Sequence, residues 1–401
     1  MTRPNPLVGA WRSGTLRLAA AAITATAAGS TTLFLLGAVA VQVRAEFAMS
    51  ATQIGIAVSV LFCASAVTGP IVMTFIERLG ARASVMITAW LSVVALLLIG
   101  GVVDSFGGLL AAMALGGVAQ AFGQPAANGL LARGLRPRRQ GIAFGIKQSG
   151  VPLPSLFAGL AVPAIALTVG WRWVYFGAAA LLVAVPFLVP RSVKGPPPPT
   201  GAPVGKLASP TSSRPLRRLA LASVLAAGST LSFGAFLVDT AVTGGIDPST
   251  AGALLSYASL VSVAIRLLSG WLADRVDLDP LRATTTMMGI GAIGTAAVGV
   301  ATQPWTLALA VTIAFGIGWG WNPLMDLATV RIGGGIPAAA SSMIMTGSFV
   351  GAASGPLLLG AVADLVGYDA AWVTAAAMLL GSAALVFSAT TMEGANARST
   401  G

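Results

Sequence analysis

Arg266, Gly270 and Asp274 follow one another at spacings of four, with Arg275 next, so a helix would set the first three along one face. The chemistry open to such a row is electrostatic. The acid and Arg275 at the end of such a helix mark the point where it reaches water. A base eight residues back, roughly 12 Å deeper at 1.5 Å per residue, can hold an anion. Lys147 supplies a second cation at a similar depth from the basic stretch Arg136 to Arg139. Two cations at one level would attract an anionic solute. The competing reading has Lys147 reaching out to lipid phosphate while Arg266 caps carbonyls and pairs with a neighbouring acid.

Uncharged polar side chains recur at the same helical spacing. Gln120, Gln124 and Asn128 share one face, Trp319, Asn322 and Asp326 another, and Ser30, Thr31, Ser229 and Thr230 add hydroxyls. Polar groups in hydrocarbon must find partners, so these stripes are expected to face each other or a wet substrate cavity. Helix-to-helix hydrogen bonding is the competing role for the hydroxyls, and core filling for Trp319. With no histidine, and Cys63 as the single cysteine, hydrolytic triads, imidazole or cysteine metal sites and internal disulfides are excluded. No metal or cofactor is expected, and no enzyme either, for want of acidic pairs or nucleophile motifs at depth. The acids that a proton-coupled carrier could titrate reduce to Asp326 and Asp239.

The elements that must position these residues follow from composition. At 56% hydrophobic and 9% charged, the 401-residue chain cannot be an ordinary soluble protein. Charge-free runs such as 18 to 43, 47 to 76, 219 to 238 and 248 to 265 are each long enough to span about 30 Å of hydrocarbon as a helix. The run from 283 to 325 holds two spans, divided at Gln303-Pro304, and the total is twelve. The first run is too long for a signal-peptide core and reads as a retained helix. Arg78 and Arg82, Arg133 to Arg139 and Arg191 to Arg218 all fall on the side of the N-terminus, while Arg44 and Arg172 face the other way. That bias puts both termini in the cytoplasm, so the net charge of +11 records topology and predicts no nucleic-acid partner. Abundant alanine, glycine and arginine point to a GC-rich bacterial genome, and the location expected for the spans is the bacterial cytoplasmic membrane.

A Pro-rich stretch with Pro196 to Pro199 divides the chain into an N-terminal six-helix bundle (1–190), a solvated linker (191–216) and a C-terminal six-helix bundle (217–401). The halves repeat. Ala27 to Thr31 recurs as Ala226 to Thr230, Gln124-Pro125 as Asn322-Pro323, Asn128 as Asp326, Gly150 as Gly347 and Gly170 as Gly367, at offsets of 197 to 199. Six spans being an even number, the halves run parallel, related by a pseudo-two-fold axis along the membrane normal.

Gly270-Trp271-Leu272-Ala273-Asp274-Arg275, with its altered twin Met73 to Arg78, resembles the loop motif of the major facilitator superfamily, and the likeness extends along the whole chain. Gly170-Trp171-Arg172-Trp173 is a second family-like feature. The resemblance implies an all-α integral membrane protein of the major facilitator fold. It also implies that Asp274 and Glu77, with Gly270, Arg275 and Arg78, act as gate latches. The function expected is secondary transport of a small polar or anionic organic solute by alternating access. Proton-coupled export of lipophilic drugs is the alternative cargo class. A non-transporting membrane receptor or sensor is the alternative of another class. The expected partners are the small-molecule substrate, protons as candidate coupling ion and the lipid bilayer, and the expected unit is a monomer.

Overall fold

The computed structural model describes residues 6–134, 140–188, 214–276, 278–333 and 337–399. The expected linker falls largely outside them. The described residues form helices and connecting turns, with no strand among them. The helices are α1 (Pro6–Ala38, continued after a break as Ala40–Phe47), α2 (Ala51–Val72), α3 (Arg78–Gly101), α4 (Phe106–Gly134), α5 (Gly141–Ala166) and α6 (Arg172–Val183) in the first half. In the second half they are α7 (Arg214–Thr243), α8 (Pro248–Arg275), α9 (Pro280–Val300), α10 (Pro304–Ile332), α11 (Pro337–Leu365) and α12 (Tyr368–Ser399). Eleven described helices are long and apolar enough to cross a membrane. The twelfth expected span, α6, is shorter. Pro186 has no amide to continue its ladder, and the helix breaks at Ala184 before resuming as Val185–Leu188.

Polar residues fix where the helices begin. Ser50 and Gln53 form a capping box at the start of α2, and Asp247 accepts from Thr250 N (3.0 Å) just ahead of Pro248 in α8. The repeat is visible in the backbone. Gly170 and Gly367, equivalent in the two halves, both adopt positive φ (107° and 117°) in the turns before α6 and α12, a conformation that side chains resist. Gly150 abuts the Ile23 carbonyl in α1, and its repeat partner Gly347 abuts the Ala220 carbonyl in α7. The halves meet along α2 with α11, α5 with α8 and α1 with α7. Gly37 of α1 touches the backbone of Gly234 in α7. No comparable seam joins α4 to α10 among the described residues. Leu160, Leu181, Phe187, Ile293 and Leu309 point outward, where hydrocarbon would solvate them.

The Gly170 to Trp173 stretch has a local task. Glu46 accepts from Arg172 Nη2 (2.7 Å) and Trp171 Nε1 (2.6 Å), and Arg172 Nη1 donates to the Val103 carbonyl (2.9 Å). These bonds tie the α1 extension, the α3–α4 turn and the start of α6. The hydrogen bonds from Arg172, and then from Trp171, hold the Glu46 carboxyl below its ordinary value of 4.5. Its stabilising contribution is complete above pH 4.5 and is lost as pH falls through the lowered value. Because the pair is solvent-screened, the contribution is below about 1 kcal/mol. Thermal unfolding measured between pH 6 and 3 should show Glu46→Gln slightly less stable at the upper end and level with wild type at the lower. An unchanged gap at both ends would contradict this.

Candidate functional site

Arg266 of α8 is wholly buried between the halves, and two prolines determine where its charge goes. Pro152 and Pro323 lack amide hydrogens, so the carbonyls four residues earlier, Gln148 in α5 and Trp319 in α10, lose their i+4 donors, the Gln148 carbonyl keeping a bond from Val151 N (3.2 Å). Arg266 supplies both. Its Nη1 donates to the Gln148 carbonyl and its Nη2 to the Trp319 carbonyl (3.2 Å), while the guanidinium lies 4.4 Å from the Trp319 ring centroid. Asn322 Nδ2 also donates to Trp319 O (3.3 Å). A π-turn at Thr312–Ile317, closed by Gly318 N to Ile313 O (2.8 Å), precedes the tryptophan. Arg266 Nε is buried without a partner.

Beside this clamp, Lys147 Nζ lies 3.7 Å from Asp326 Oδ2, and Gln148 Nε2 donates to the same oxygen (2.8 Å). The Lys147 side chain is 4% exposed and that of Asp326 28%. Two cations and one carboxylate therefore bridge α5 of the first half to α8 and α10 of the second. The arrangement carries a net positive charge, and parting the halves would dissolve it.

Charged devices also stand at both ends. On the face where α1 begins, Asp274 accepts from Gly141 N (2.8 Å) and Ile142 N (2.9 Å) at the N-terminus of α5. Gly270 and Gly141, in backbone contact, bring the two helices this close. On the opposite, far face Asp364 at the end of α11 accepts from Ala51 N (2.9 Å), Thr52 N (2.7 Å) and Thr52 Oγ1 (2.5 Å) at the N-terminus of α2. There too Asp239 of α7 accepts from Arg44 and Tyr368. Burial opposes the Arg44 charge, but Asp239 outweighs it and raises the pKa above its ordinary value. Beneath this group, Phe34, Phe233, Phe315, Trp319 and Trp372 form an edge-packed aromatic layer, with Phe34 against Trp319 at 6.1 Å.

The structure thus brings together Lys147, Arg266, Trp319, Asn322 and Asp326 from the expected set. Arg266 does cap carbonyls, and Lys147 turns inward to an acid rather than outward to lipid. Gln120 is buried against Gly29 of α1, and Gln124 is half-buried in α4. Ser30, Thr31 and Thr230 bond carbonyls of their own helices, while the buried Ser229 hydroxyl has no partner. Arg78 is exposed, and Arg275 lies over the Trp271 ring at 5.3 Å. Glu77 and Asn128 lie outside the residues whose side chains are described. Sequence reasoning passed over Gln148, Asp364 and Tyr368. A proline four residues ahead marks the Gln148 carbonyl, whereas the backbone donors that meet Asp364 leave no mark on side-chain spacing.

A family model described as Major Facilitator Superfamily matches residues 18–342. No curated protein matches the chain.

Proposed function

This chain belongs to the major facilitator superfamily and is therefore a membrane transporter rather than an enzyme, and on that premise we propose that it carries a small anionic organic solute by alternating access. The observation that supports this most is the buried cluster of Lys147, Gln148, Arg266 and Asp326, which carries net positive charge and joins the two halves. Its edge is open at Asp326, and its donors suit an acidic head group. Asn322 and Gln124 are the amides we assign to the remainder of the cargo. In this reading the face where α1 begins is cytoplasmic, following the placement of the basic residues. The Asp274 latch then closes the inner gate, and the Asp364 and Asp239 groups close the outer one. Protons are the candidate coupling ion.

Purified protein in liposomes, under an imposed pH gradient, is to be offered labelled mono- and dicarboxylates, sugars and amphiphilic cationic dyes. Saturable carboxylate flux that Lys147→Met removes is the expected result. Dye efflux that Asp326→Asn abolishes would replace this reading with proton-coupled drug export. Absence of flux for every class under every gradient would favour a receptor.

A further inference from the structure

We infer, building on the anion-site reading above, that the Asp326 carboxylate is an internal stand-in for the acidic head of the cargo. Cargo and Asp326 take the same two donors, Lys147 Nζ and Gln148 Nε2, in turn, and the exchange detaches α10 from α5.

The asymmetry of burial carries the first step. Lys147 is shut in, so its ammonium needs an anion beside it at all times, because a buried charge left unpaired is strongly destabilising. Asp326, more than a quarter exposed, can swing into water as a carboxylate without that penalty. When one member of an ion pair can leave and the other cannot, an incoming anion replaces the mobile one.

The donor geometry carries the second step. Both donors converge on one oxygen, Oδ2, at 2.8 and 3.7 Å, which is the footprint of a single carboxylate head. Arg266 does not compete for it, because its terminal nitrogens already hold the Gln148 and Trp319 carbonyls. A carboxylate on the cargo therefore substitutes for Asp326 one for one, and the net charge of the cluster stays the same throughout. The donors belong to the first half and Asp326 to the second, so filling the site from outside removes a tie between halves. The Arg266 tie to α5 remains.

Thermal unfolding in detergent tests this. Asp326→Asn leaves Lys147 unpaired and should lower the unfolding temperature. Sodium benzoate should restore it, while benzamide and sodium chloride at the same concentration should not. Benzoate should bind the variant at least about tenfold more tightly than wild type, the order expected if the tethered competitor fills the site nine-tenths of the time. Asp326→Asn combined with Lys147→Met should not respond to benzoate. Equal benzoate affinity at Lys147 in wild type and Asp326→Asn would overturn the stand-in and leave the anion site standing. No carboxylate binding to either protein would overturn both. If Asp326→Asn does not fold, spin labels on α5 and α10 of the otherwise native chain give a second readout. Benzoate, and not benzamide, should lengthen the distance between them, and an unchanged distance would overturn the proposal.

Discussion

Arg266→Ala should reduce transport below about one per cent of wild type, a loss of about 2.7 kcal/mol in the rate-limiting barrier. It should also destabilise the folded protein by about 4 kcal/mol. The substitution leaves the Gln148 carbonyl with only the bond from Val151 N (3.2 Å) and the Trp319 carbonyl with only the one from Asn322 Nδ2 (3.3 Å), since Pro152 and Pro323 supply no amide. Losing the charge-assisted bonds to the two carbonyls costs about 2 kcal/mol together, because each keeps a neutral donor, and the desolvated contact with the Trp319 ring contributes about 2 more. Arg266→Lys separates charge from shape. An ammonium keeps the positive charge but cannot span two carbonyls in different helices while lying flat on an indole. Flux and thermal unfolding should therefore recover little with lysine. Full recovery would reduce Arg266 to a source of field, and wild-type flux in Arg266→Ala would remove it from the mechanism.

The second large effect concerns direction. Asp274→Asn weakens the hold on the start of α5 at one face, and Asp364→Asn weakens the hold on the start of α2 at the other. Each carboxylate accepts charge-assisted bonds from first-turn amides, and losing the charge while keeping the shape should cost about 1.5–2 kcal/mol. That shifts the balance between the two accessible states by about ten- to thirtyfold. Because the latches stand at opposite faces, the shifts should be opposite in sign. Distances between spin labels across each mouth, in a Cys63→Ser background, would show Asp274→Asn widening the mouth where α1 begins and Asp364→Asn widening the far one. Shifts in the same sense would refute the assignment.

Much of this architecture was legible in the chain. Charge-free runs marked the spans because hydrocarbon tolerates little charge, and equivalent glycines such as Gly170 and Gly367 marked equivalent turns. The motif singled out Asp274, whose bonds meet the start of α5, and depth singled out Lys147 and Arg266. What remained hidden depends on backbone groups. The amides at the start of α2 that receive Asp364, and the carbonyls that receive Arg266, have no side-chain signature, though the prolines behind those carbonyls do. The hydroxyl stripe shows the limit of spacing for a related reason: Ser30, Thr31 and Thr230 bond carbonyls on the preceding turn of their own helices, which sequence spacing does not report.

The contact between α5 and α8 has a mechanical consequence. Gly141 meets Gly270, Gly145 meets the Arg266 carbonyl and Gly159 meets Gly252, so along much of this joint main chain rests on main chain. Apart from Arg266 and Ser256, which reach the Gln148 and Leu156 carbonyls, such a surface has few teeth to disengage before it turns. The rocking of one half on the other then needs few rotamer changes, and its rate should depend only shallowly on temperature until the polar ties at the two faces come under load.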